Sequence, residues 1–224
     1  MAAHPLNTAG HGLRLPVPVL NRFACCFAAV LCLADARAAS TVDLTVTGRV
    51  TPDACHIELT DEGSIDHGKI PSHILKPNEF TLLPSRVLAL NVLCARPMLF
   101  ALVGVDNRAE SSLEPKFFYG LGRNIHVPGE RLGYVALSYR NAVGDAQPMQ
   151  VLASSDSGET WTQQADAYPR FYMAFAPAGD RQPDFISQLT AELHVDTAIN
   201  FSQYLTLDQE VPLDGSIVLD LRYL

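Results

Sequence analysis

The stretch Ser154-Ser155-Asp156-Ser157-Gly158-Glu159-Thr160-Trp161 gathers hydroxyls, two carboxylates and an indole within eight residues. These are the groups that a site cleaving or binding a sugar would use. The pattern S-x-D-x-G-x-T-W also has a mechanical reading. Ser154 and Asp156 can bond backbone groups across a tight turn, Gly158 can take a positive φ, and Trp161 can fold back over the hairpin. A glycosidase built on this motif would need several such boxes and an arginine cluster to grip a substrate carboxylate at two points. The chain has one box. Tyr119, Tyr134 and Tyr139 with Glu130 could in principle form a nucleophile pair, but no spacing motif links them. The expectation is therefore a turn near residues 153–162, with no enzyme activity, no catalytic residue and no cofactor.

Other chemistry is equally thin. His56, His67, His73, His126 and His194 are scattered, without the H-x-H or HExxH spacing of a metal site. No metal site is expected. Gly120-Leu121-Gly122 lacks the third glycine and following helix of a dinucleotide-binding loop. Asp106-Asn107-Arg108 reads as a turn after a strand, with a carbohydrate contact as its other reading. Phe117, Phe118, Tyr119, Phe171, Tyr172 and Phe175 sit in strand-like settings and read as core.

The elements that must position these residues begin after residue 38. Arg14 and Arg22 precede the apolar run 23–34, and Ala36-Arg37-Ala38 places small residues at a signal-peptidase site. Residues 1–38 are expected to be a cleaved signal peptide, because a run of this length falls short of the roughly 20 residues needed to span a bilayer. The remaining 186 residues carry 13 basic and 23 acidic side chains, a net charge of −10. Such a surface repels phosphate backbones and anionic lipid, so neither nucleic acid nor membrane insertion is expected. Only Cys55 and Cys94 remain after cleavage. An even pair in an exported chain is expected to form a disulfide.

Val42, Leu44, Val46 and Val50 alternate with polar residues, the period of a strand. Two more strands are expected at 87–94, whose two apolar faces imply burial on both sides, and at 98–105, beyond a break at Pro97, and these two are expected to pair. Further strands are expected at 64–70, 132–139, 149–153, 171–175, 189–195, 201–205 and 216–224. Gly, Pro, Asn and Asp punctuate the intervals, and no amphipathic helix is evident. The last ten residues, from Gly215, alternate with unusual regularity: Ile217, Leu219, Leu221 and Tyr223 face one way, Asp220 and Arg222 the other. The pattern predicts an all-β sandwich or barrel of some eight to eleven strands, and a C-terminus docked in a sheet.

Several motifs in a fixed order carry a resemblance. The start Val46-Thr-Gly-Arg-Val-Thr-Pro-Asp-Ala-Cys55, the segment Ile65-Asp66-His67-Gly68-Lys69-Ile70, Asp106-Asn107-Arg108, and the end running from Leu213 to Leu224 together resemble the pilin-like family labelled domain of unknown function 1120. The chain is similar in the same way to subunits of chaperone-usher fimbriae. The resemblance implies an immunoglobulin-like sandwich with Greek-key connections over residues 53–224, lacking its final strand. It implies a groove at one sheet edge, filled first by a periplasmic chaperone and later by a neighbouring fimbrial subunit delivered at an outer-membrane usher. Gly215, Ile217, Leu219, Leu221 and Tyr223 would form the strand that the chaperone reads. Residues 39–52 are expected to form an N-terminal strand, with Val42, Leu44 and Val46 either the knobs donated to a neighbour or the start of the domain's own first strand. The expected place of work is the periplasm and then the fimbrium or cell surface, in adhesion. The alternative is a self-contained carbohydrate-binding or adhesive module.

Overall fold

The computed structural model describes residues 54–224. The signal-peptide expectation and the strand around Val42, Leu44 and Val46 lie outside the described residues.

Eleven strands run along the described residues: β1 (Cys55–Leu59), β2 (Thr81–Leu82), β3 (Arg86–Met98), β4 (Phe100–Asp106), β5 (Tyr119–Gly120), β6 (Gly133–Gly144), β7 (Gln147–Ser154), β8 (Thr162–Gln163), β9 (Tyr172–Pro177), β10 (Ile186–Ile199) and β11 (Ile217–Tyr223). The other regular elements among these residues are short 3-10 turns, with no α-helix. Every strand pairing is antiparallel. The main path runs β1-β3-β10-β6-β7-β9-β4-β11, with β2, β5 and β8 attached at its sides.

The path bends at the β6–β7 hairpin, where only Val143↔Pro148 and Gly144↔Gln147 are paired. Asp145 and Ala146 both take positive φ at this turn, as a two-residue hairpin with the right twist requires. Asp145 also accepts hydrogen bonds from the backbone of Ser187 and Gln188, which fixes the turn to the start of β10. The result is a single antiparallel sheet curled almost into a barrel, with β1 and β11 at its two ends.

The period-two pattern decides what is buried. Leu189, Ala191, Leu193 and Val195 of β10 point into the core, whereas Glu192 and His194 point out. Leu90 and Val92 of β3, Leu102 of β4, Tyr139 of β6 and Phe175 of β9 meet them inside. Tyr119 is fully buried and donates its hydroxyl to the Ala167 carbonyl at 3.0 Å. Desolvation, the largest cause, pushes the Tyr119 and Tyr139 phenols well above their ordinary range, so both stay neutral.

Four sequence expectations need correction. The 87–94 stretch has one buried face only: Val87 is 50% exposed and Leu93 61% exposed. Nothing among the described residues covers the outer face of β3. The strands at 87–94 and 98–105 do not pair, because the chain leaves the first half of the sheet at Leu99 and enters the second as β4. There β4 pairs with β9 and β11. Residues 64–70 are irregular, with Gly68 at positive φ capped by the Asp66 carboxylate. Residues 201–205 form a 3-10 turn, which Phe201 anchors by packing on Phe80 at 4.8 Å.

Candidate functional site

The site lies where the curled sheet fails to close. β11 pairs with β4 alone among the described strands. Ser216 accepts from Asn107 N–H at 2.9 Å and Leu224 donates to the Leu99 carbonyl at 3.1 Å, so the even-numbered residues of β11 bond to β4. By the alternation of an antiparallel ladder, the N–H and C=O of Ile217, Leu219, Leu221 and Tyr223 then face the free edge. Ile217, Leu219 and Leu221 are also the residues whose side chains pack on the core.

β1 presents the complementary edge. Cys55 lies opposite Cys94 with Cα atoms 4.0 Å apart, and the two are joined by the disulfide. So close an approach marks a non-hydrogen-bonded pair, which turns the backbone groups of Cys55, Ile57 and Leu59 away from β3 and toward β11. The Cys55 N–H donates to the Tyr223 hydroxyl at 2.8 Å, while Ile57 and Leu59 line a shared cavity with Ile217 and Leu219. The two edges therefore run in opposite directions and stay unpaired along most of their length. Between them opens a groove that includes a cavity of about 210 Å³. Its lining includes Leu59, Ile65, Leu88, Leu137, Leu213 and Leu219.

Residues 44–123 match the family model described as a protein of unknown function, DUF1120. The matched stretch contains β1, the disulfide, β3, β4 and the Asp106–Arg108 turn; β11 lies beyond it. The chain is also 25% identical over 256 aligned residues to Protein GltF of Escherichia coli (strain K12), with 92% of this chain and 98% of that protein covered. Neither description assigns an activity.

The turn after β4 sets the entry to β11. Asp106 accepts from the backbone N–H groups of Arg108 and Gly120, each at 2.8 Å. Asn107 donates to the Ser216 hydroxyl at 3.1 Å. The Arg108 guanidinium grips both oxygens of Asp214 at 2.8 and 3.0 Å, immediately before Gly215. Asn107 and Arg108 thus hold the segment that leads into β11, while Asp106 fixes the turn itself and ties it to Gly120. The Arg108–Asp214 pair had no sequence signal beyond the separate motifs that contain its two members.

Ser154, Asp156, Gly158 and Trp161 lie at the opposite end of β11. β7 and β8 pair as a hairpin, Leu152↔Gln163 and Ala153↔Thr162. Ser154 Oγ donates to the Asp156 carboxylate at 2.6 Å and accepts from Gly158 N–H at 2.8 Å. Asp156 also accepts from the Thr160 backbone and hydroxyl at 2.9 and 2.5 Å. The bonds from Ser154 and Thr160 hold the Asp156 carboxyl down at about 2. Gly158 has φ +97°, and a Cβ there would sit 3.3 Å from Leu224 and 3.4 Å from the Trp161 ring. The motif closes a turn and backs the last residue of the chain.

At the inner wall of the groove, His67 Nε2 lies 3.1 Å from Thr197 Oγ1. Burial, and then the nearby Arg86 cation, lower its basicity below the ordinary imidazole value. No group of three or more His, Cys, Asp or Glu among the described residues could hold a metal ion. Ile57 and Leu59 escaped the sequence reading because a five-residue strand after a cysteine offers little period. Ile65 was expected in a strand, whereas an irregular segment carries it into the groove.

Proposed function

We propose that this chain is a structural, fimbria-type subunit or fimbria-associated protein whose open groove accepts a β-strand from a partner. In this reading the curled sheet is an immunoglobulin-like, pilin-like sandwich with Greek-key connections that lacks its final strand. Exported through the inner membrane, the protein meets a periplasmic chaperone, then an usher and neighbouring subunits at the cell surface, where it serves adhesion without catalysis.

The observation that supports this best is the apolar groove between two unpaired edges. An exposed edge with apolar side chains alternating beneath it is a template for strand addition. Here Ile217, Leu219 and Leu221 combine both features on β11. The groove also has distinct ends, which suits head-to-tail addition. The described chain begins at the Cys55 end, whereas an incoming strand antiparallel to β11 would connect to its own domain at the Leu59 end. Such contacts are heterologous and build open fibres.

The test is co-production with a periplasmic pilus chaperone, comparing wild type with Tyr223→Ala and Leu219→Asp. Wild type should become more soluble and co-purify with the chaperone, and both variants should lose the complex. Equal yields of all three proteins, with and without chaperone, would sink the reading.

A further inference from the structure

We infer that the end of the curled sheet beside His67 holds a binding site for a small uncharged amphiphile, such as a single-chain alcohol, roofed by residues 205–213. The site is independent of the strand-acceptor reading, because its cavity is not the one between β1 and β11. It has a volume of about 590 Å³, within the roughly 300–1,000 Å³ of small-molecule sites. Ile65, His67 and Leu213 are the residues it shares with the cavity of about 210 Å³ in the groove.

The roof alternates without belonging to a strand. Leu205, Leu207, Gln209, Val211 and Leu213 all line the cavity. Leu132 and Ile199, both buried, add further wall. Thr206, Glu210 and Asp214, spaced four apart, are the anchors. Glu130 accepts from the Thr206 N–H and hydroxyl, each at 2.7 Å, and the fully buried Asn124 donates to the Thr206 carbonyl at 2.9 Å. His126 Nε2 donates to the Glu210 carbonyl at 3.2 Å, and Lys69 lies 3.8 Å from the Glu210 carboxylate. Arg108 grips Asp214. Among the described residues, 206–213 make no backbone-to-backbone hydrogen bond. The roof is tied through side chains, so it can lift to admit a ligand without breaking a strand pairing.

The lining sets the ligand's chemistry. Apolar walls favour an apolar body. Burial, and then Arg86, lowers the basicity of His67, so at neutral pH the imidazole in the wall offers no positive charge to a carboxylate. An unpaired charge buried there would be costly. Of the other charged residues lining the cavity, Lys69 faces Glu210, and Asp66 adds a second acid, so an anion gains nothing from them. Gln209 is the polar residue among the odd-numbered positions of the roof, and among the described residues its side-chain amide makes no hydrogen bond. An amide both donates and accepts, which suits a hydroxyl.

NMR titration of the full-length chain with 1-butanol, 1-hexanol and 1-octanol tests this. Each added methylene should tighten binding about fourfold until the cavity is full. Methyl shifts at Leu132, Ile199, Leu205 and Leu207 should saturate together while Ile57 and Leu219 stay unmoved. Octanoate should bind roughly tenfold or more weakly than octanol. Gln209→Met keeps the side-chain length without the amide and should weaken octanol binding about fivefold. Leu207→Asp should abolish binding; should that variant fail to fold, the wild-type series decides alone. Shifts centred on Ile57 and Leu219, or shifts that never saturate, would overturn the inference. So would octanoate binding as tightly as octanol, or Gln209→Met binding octanol as wild type does. The strand-acceptor reading stands or falls separately, on the chaperone experiment.

Discussion

The backbone N–H of Cys55, on the first described strand, donates to the hydroxyl of Tyr223, on the last, at 2.8 Å. This contact ties the two free edges of the sheet at one end. Tyr223→Phe removes the acceptor and leaves the ring. Because the site is exposed, water can replace the lost bond, and the cost should be about 0.5–1 kcal/mol. Urea denaturation would show it as a small drop in midpoint with unchanged slope.

The Asp156 carboxyl titrates at about 2 in the folded chain, against an ordinary value of 3.8. A depressed folded value means that the carboxylate form is the one the fold prefers. Its contribution is complete above the ordinary value and is lost as pH falls from about 4 through about 2. Carboxyl-carbon NMR should find Asp156 titrating well below the ordinary aspartate value. Asp156→Ala should remove that acid-sensitive component and loosen amide exchange in residues 154–162.

Gly158 adopts φ +97° beside Leu224 and the Trp161 ring. Gly158→Val combines backbone strain with a tight contact and should cost about 1–3 kcal/mol. The increased amide exchange should extend past the hairpin to Leu224, because that residue lies against the added side chain. A loss confined to residues 154–162 would contradict the link between turn and C-terminus.

Replacing Cys55 and Cys94 by serine removes a bridge across 39 residues of chain. Chain-entropy reasoning puts the cost near 4 kcal/mol. The bridge also fixes β1 to β3, so its loss should free the β1 edge before the rest of the sheet. Equilibrium unfolding under reducing and non-reducing conditions would give the stability, and exchange at Ile57 and Leu59 would give the order.

Much of the sheet was legible as period and punctuation. β10 alternates so regularly that Glu192 and His194 could only face outward, and β11 announces its inward face through Ile217, Leu219 and Leu221. The turn at Ser154 to Trp161 follows from local chemistry, since its bonds join residues at most four apart along the chain. Periodicity also failed in places. Residues 64–70 alternate yet run irregularly, because the backbone bends at Gly68 and no neighbouring strand pairs with them. The outer face of β3 is apolar but uncovered, since alternation reveals that both faces are apolar and says nothing about what lies against each.

The sequence by itself determined local backbone preferences, the cysteine pair and the inward face of the strands that alternate cleanly, β10 and β11, because these depend on residues close in the chain or on simple parity. Tertiary structure decided which strands are neighbours. β3 and β4 are separated by a single residue but belong to different halves of the sheet, while β1 and β11 lie at opposite ends of the described chain and share a groove. Arg108 reaches Asp214 across more than a hundred residues, a pairing that no local pattern encodes. The candidate site consists of two edges left without partners, and whether an edge is free depends on the packing of every other strand.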